Sequence, residues 1–146
     1  MNPTLVQLNV SAGGIPKVAV ASAQVRRDGV AGDWQINRKY HGGPDRAVCL
    51  YSNEFYAELA GEGIQLQAGD IGENFTTRGI DLRQLNVGSR LRVGECLIEI
   101  TKVRIPCKKL NGVHPDLLER IVGRSGWMCR VIEESVVRQG DAITVL

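Results

Sequence analysis

Cys107 lies in the run Arg104-Ile105-Pro106-Cys107-Lys108-Lys109, with cationic side chains on both sides of the thiol. Neighbouring positive charge favours the thiolate, which serves as a nucleophile, a persulfide carrier or a soft metal ligand. A semi-buried structural thiol at a strand end fits the same residues, and the sequence leaves the two open. A second concentration of chemistry spans Gly32 to Leu50, GDWQINRKYHGGPDRAVCL, which gathers Asp33, Arg38, Lys39, His41, Asp45, Arg46 and Cys49. His41 can donate to an anion or exchange a proton near neutral pH, or it can brace a turn. Gly42 and Gly43 supply unusual dihedrals or let a ligand approach the backbone, and Pro44 fixes the next φ. A third concentration is Ala68 to Phe75, where Gly72, Glu73 and Asn74 either contact a ligand or knit loops together.

Other constellations are weaker. Cys49 and Cys96 stand in apolar runs and are expected to be buried, whereas Cys129, between Met128 and Arg130, fits either side of a strand. Zinc held by His41, Cys49, Cys107 and Cys129 has no paired Cys-x-x-Cys spacing behind it. A Cys107–His114 hydrolase pair has no nucleophile elbow, and Pro115 gives His114 a helix-capping neighbourhood. There is neither a GxxxxGK[ST] loop nor a GxGxxG turn, so the usual markers of nucleotide hydrolysis and NAD binding are missing. Formal net charge is +2, from 18 basic and 16 acidic side chains, which favours a small anionic ligand over a nucleic acid. The N-terminus has no signal-peptide pattern and no window approaches 18 apolar residues, so a cytoplasmic protein with reduced thiols is expected, without a membrane partner.

The elements that must position these groups are mostly strands. Leu5–Val10 and Val18–Val25 read as strands, and Arg26-Arg27-Asp28-Gly29 as a hairpin turn. Ala47–Tyr51 reads as a strand leading to Ser52, an N-cap for a short helix whose Phe55 and Leu59 share one face. Phe55 and Tyr56 read as packing residues. Gly88–Arg92 pairs with CLIEITKVRI as a hairpin, which places Arg104–Cys107 at a rim. Pro115 opens a helix with Leu117, Leu118, Ile121 and Val122 on its apolar face, and Trp127–Ile132 and Ala142–Leu146 are the last two strands. Many strands with two or three short helices predict a mainly β protein, closed or partly closed into a small mixed barrel that hides its edges.

His41 to Ser52 (HGGPDRAVCLYS), Gly69 to Leu82 (GDIGENFTTRGIDL) and Leu85 to Leu110 (LNVGSRLRVGECLIEITKVRIPCKKL) resemble the MOSC domain family, named for the C-terminal domain of molybdenum cofactor sulfurase. Gly32-Asp33 and the closing run from Gly123 to Leu146 match as well, in the expected order. The resemblance implies a single domain over residues 1–146, with a pyruvate-kinase-barrel-like fold and an association with molybdenum cofactor or sulfur chemistry. Its essential cysteine falls on Cys107, as a molybdenum ligand or a sulfur carrier. It also implies that His41, Gly42, Gly43, Asp45, Arg46, Gly72, Glu73, Asn74, Arg104 and Lys108 shape the cofactor pocket. Reduction of N-hydroxylated compounds would then need an external reductase. A sulfur- or cofactor-carrier module served by a sulfur-donor protein is the other reading. No pyridoxal phosphate, haem, flavin or NAD is expected, nor the additional domains that some longer relatives carry.

Overall fold

A computed structural model describes residues 2–11, 13, 15–33, 44–106 and 108–146. Among them, eleven strands form two sheets. The larger sheet has eight strands in the order β11-β7-β8-β9-β5-β6-β1-β2, and the smaller has three in the order β10-β3-β4. In the larger sheet the strands are β1 (Thr4–Val10), β2 (Val18–Val20), β5 (Val48–Ser52), β6 (Phe75–Arg78), β7 (Arg90–Val93), β8 (Cys96–Val103), β9 (Trp127–Glu133) and β11 (Ile143–Val145). The smaller sheet holds β3 (Ser22–Arg26), β4 (Gly29–Val30) and β10 (Ser135–Arg138).

The expected barrel is not formed. The strand order leaves β2 and β11 as the two ends of an open sheet, and a single bridge, Thr4 with Ala142, is the approach to closure among the described residues. Barrel closure was inferred from the need to protect edges. Here each edge strand is three residues long, too short to template another chain well, so closure is not required.

Local chemistry explains most of the elements. β5, the run VCLYS, is buried at every position and lies between antiparallel β9 and parallel β6. The parallel step needs a crossover, and helix α1 (Asn53–Gly61) lies within it. Ser52 caps α1 as expected, its Oγ accepting the Phe55 N–H at 3.0 Å. Phe55, Tyr56 and Leu59 face the core, and each such burial contributes roughly 1.5–3 kcal/mol. The β7–β8 hairpin pairs as read, Arg90 with Glu99 and Val93 with Cys96.

The structure departs from the sequence reading at β2 and β3, β6, β10 and the helix after Pro115. The run VAVASAQV divides at Ala21: Val18–Val20 pairs with β1, whereas Ser22–Arg26 pairs with β10 in the other sheet. β6 and β10 were unread, β10 because it follows β9 after the single residue Glu134. After Pro115 the helix is one turn, α2 (Leu117–Arg120), with Leu117 and Ile121 buried but Val122 76% exposed. No helix among the described residues is long and apolar enough to cross a membrane.

Candidate functional site

Alternation along β5 places Cys49 and Tyr51 on one face. The loop Gly69–Asn74 packs beside that strand and is held by its own polar groups. Asn74 Oδ1 accepts the Cys49 N–H at 3.0 Å, and the Asn74 N–H donates to the Cys49 carbonyl at the same distance. Asn74 Nδ2 donates to the Asn9 carbonyl at 3.3 Å and to Asp33 Oδ2 at 2.9 Å. Asp33 Oδ2 also accepts from Lys17 Nζ at 2.7 Å, a buried ion pair.

Glu73 is fully buried. Its carboxylate accepts the Tyr56 hydroxyl at 2.8 and 2.9 Å, the Thr76 hydroxyl at 2.7 Å and the Gly69 N–H at 3.0 Å. Burial raises its pKa, and the donors from Gly69, Thr76 and Tyr56 oppose that rise. The Cys49 thiol is also pushed up by burial, against the nearby charges of Arg104 and Lys17 that pull it down.

Arg104 approaches this network from the end of β8. Its N–H donates to the Gly126 carbonyl at 3.0 Å, and its own carbonyl accepts the Ser125 hydroxyl at 2.7 Å. Gly126 has φ +94°, and a Cβ there would strike the Leu50 carbonyl oxygen, so only glycine lets the chain pass this close to β5. Arg104 Nη2 lies 3.6 Å from where a Gly72 Cβ would stand, and the Arg104 charge reaches both Cys49 and Tyr51. Among the described residues, Arg104 Nη1 is buried without a hydrogen-bond partner, as is the Tyr51 hydroxyl. Arg124, by contrast, is fully engaged: it pairs with Glu58 at 3.1 Å and Glu62 at 2.6 Å, and its Nε donates to the Arg120 carbonyl.

The structure thus brings together Gly72, Glu73, Asn74 and Arg104. Asp45 and Arg46 occupy a 3-10 turn, Pro44–Arg46, beside a groove of about 560 Å³ lined also by Glu99, Thr101, Lys102 and Arg130. None of Gly72, Glu73, Asn74 or Arg104 is among the described residues of that lining. Lys108 is exposed in the 3-10 turn Lys108–Gly112. His41, Gly42, Gly43 and Cys107 lie outside the described residues.

Cys49, Cys96 and Cys129 are buried free thiols, and burial pushes Cys96 up to about 12. No group of three metal-ligating side chains is assembled among the described residues. His114 does serve its helix start, Nδ1 accepting the Asp116 N–H at 3.1 Å. Sequence reasoning missed Asn9, Lys17 and Tyr51. A hydroxyl within AVCLYS was the available signal for Tyr51, but nothing near Lys17 marks it for burial.

The family model for the MOSC domain matches residues 37–144. Protein YiiM of Escherichia coli is 39% identical over 113 residues, covering 71% of this chain and 50% of that protein. A protein of Gibberella moniliformis named Reductase is 34% identical over 127 residues, covering 81% of this chain and 22% of the other. The chain therefore spans half or less of the length of these curated relatives. The crystal structure of YiiM from Geobacillus stearothermophilus superposes with a TM-score of 0.82 at 27% identity, covering 99% of this chain and 75% of that one. With its own motifs, the family match and the shared fold in agreement, the chain belongs to the MOSC domain family.

Proposed function

We propose that this chain binds molybdenum cofactor with the Cys107 thiolate as a metal ligand, and that it supports reduction of N-hydroxylated compounds with electrons from a separate reductase. The observation that carries this reading is Arg104 Nη1, a buried cationic donor without an acceptor among the described residues, three residues before Cys107. A buried N–H of a guanidinium left unpaired is costly, and an anionic cofactor rich in acceptor oxygens fits it. Gly72, at φ +93° and with no room for a Cβ against Ile15, brings the loop backbone close to the Arg104 guanidinium.

Within that reading, Arg104 and the exposed Lys108 offset the negative charge of the cofactor. Glu73 and Asn74 hold the loop that carries Gly72. His41, Gly42, Gly43, Asp45 and Arg46 are the further cofactor-contacting residues of this reading, on the family resemblance alone. A reducing cytosol keeps Cys107 as a free thiol rather than a disulfide. When bound, the cofactor supplies two-electron chemistry; reduction of an N–OH group takes two electrons and two protons and releases water. The Gibberella relative carries the name Reductase, which agrees with this direction of chemistry.

The test is reduction of an amidoxime by protein prepared in cofactor-competent cells, with electrons supplied chemically. Turnover by the wild type that is lost in Cys107→Ala is the expected result. No turnover, together with a reductant-removable 32 Da addition on Cys107, would replace this reading with sulfur carriage. The exposed cations Lys108 and Lys109 beside Cys107 favour that second reading.

A further inference from the structure

Thr101 is an extra residue in β8. Ile100 pairs with Cys129 and Lys102 with Met128, so the register slips by one position between them. Ile100 and Cys129 are buried, and strict alternation would send Lys102 to that same core face. The bulge turns it to the other face instead, beside Glu99 and Arg130. These three side chains line the groove of about 560 Å³ next to the Pro44–Arg46 turn. Hydrogen bonds fasten its walls. The Thr101 hydroxyl donates to the Asp45 carbonyl and lies 3.1 Å from the Met128 carbonyl, which ties the turn to the bulge. On the β7 side the Gly88 N–H donates to the Ile100 carbonyl at 2.8 Å, and the Ile100 N–H to the Ser89 carbonyl at 2.9 Å.

The charges in this groove are unequally committed. Arg90 and Arg130 both pair with Glu99 and hold its carboxyl below the ordinary carboxylate range. Two guanidiniums against one carboxylate leave that triad positive. Arg46 adds a cation to the lining and Asp45 a carboxylate. The Lys102 ammonium has no ion pair or hydrogen bond among the described residues. Positive charge therefore exceeds negative charge among the described residues of the lining, and a lysine meets an anion as a compact point charge. A volume of about 560 Å³ falls within the roughly 300–1,000 Å³ of small-molecule sites, far more than an inorganic ion fills. Val87 gives the lining an apolar contact for a carbon body.

We propose that this groove binds a small organic anion, with Lys102 as its ion-pairing group and Asp45 as the opposing charge that weakens the attraction. The inference goes beyond the proposed function and meets it only at Asp45 and Arg46, which are cofactor contacts in that reading. Two sources share the chemistry: the phosphate end of the cofactor, and a separate phosphate ester or carboxylate.

Amide NMR titration of the full chain with phenyl phosphate decides it, with inorganic phosphate and phenol as partial ligands. Shifts are expected at Val87, Gly88, Thr101 and Lys102, and phenyl phosphate is expected to bind more tightly than either partial ligand. Lys102→Gln is expected to weaken binding about tenfold and Lys102→Arg to retain it. Asp45→Asn is expected to tighten binding, and added salt to weaken it. Lys109→Gln, which removes an exposed cation that is not among the described residues of the lining, is expected to change nothing. Shifts that do not saturate, shifts centred on Gly72 and Arg104, equal affinities in wild type and Lys102→Gln, or equal affinities for phenyl phosphate and inorganic phosphate would each overturn the site. Weaker binding by Asp45→Asn would overturn the role given to that carboxylate.

Pterin content of Lys102→Gln from cofactor-competent cells separates the sources. A fall alongside phenyl phosphate affinity assigns the groove to the cofactor phosphate, and unchanged pterin with weakened phenyl phosphate binding assigns it to a separate organic anion. A wild type that binds phenyl phosphate in the groove but never carries molybdenum would remove the proposed function and leave this site standing. Molybdenum loading with no phenyl phosphate shifts in the groove would do the reverse.

Discussion

Lys17 and Asp33 form an ion pair whose side chains are 3% and 6% exposed, with Asn74 Nδ2 sharing the same carboxylate oxygen. Removing one partner strands a charge in the interior, so Lys17→Met is expected to cost about 3–5 kcal/mol in urea denaturation. A loss below about 1 kcal/mol would show that the pair does not hold the Gly69–Asn74 loop. Glu73 predicts a pH signature. Its raised pKa means that the folded chain binds this proton more tightly than the unfolded chain. The stability that the protonated group contributes is present in full below its ordinary value near 4.5 and lost as pH rises through the folded value. The wild type should therefore lose stability above pH 4.5 relative to Glu73→Gln, and parallel stability profiles would contradict this. Glu58 behaves oppositely: Arg83 holds it below its ordinary value, so its contribution is lost as pH falls below that value. Glu73 and Asn74 were visible in the sequence because polar residues among glycines attract notice. Lys17 was not, because its partner stands 16 residues away and pairs only when the sheet forms.

At the scale of elements, glycine and serine decide how closely the site is drawn together. Gly126→Ala must put a side chain at φ +94° and against the Leu50 carbonyl oxygen. It is expected to cost about 2–4 kcal/mol by thermal or chemical unfolding, from backbone strain and overpacking together. A near-neutral result would mean that the Arg104 segment does not depend on this approach to β5. The α1 cap, the β3–β4 turn and the β7–β8 hairpin were all legible, since capping and turn chemistry act within a few residues. The division of VAVASAQV between two sheets was not. Both halves have strand composition, and the partners that separate them, β1 and β10, lie in distant parts of the chain.

For the whole molecule, the strand-rich character was readable but neither the number of strands nor closure was. A count of strands says nothing about whether the last one reaches the first. In this chain the answer turns on two three-residue edge strands and one bridge between Thr4 and Ala142. What the open sheet accomplishes is to bring β5, the end of β8 and the Gly69–Asn74 loop into one region, where Arg104 and Tyr51 keep donors unpartnered among the described residues. The proposed function requires Cys107 to hold the metal. The measurement that tests it most directly is the molybdenum-to-protein ratio of wild type and Cys107→Ala, purified under reductant from the same cofactor-competent host. Near-stoichiometric molybdenum in the wild type and almost none in the variant is the expected result. Molybdenum retained in Cys107→Ala, or lacking from both, would contradict it.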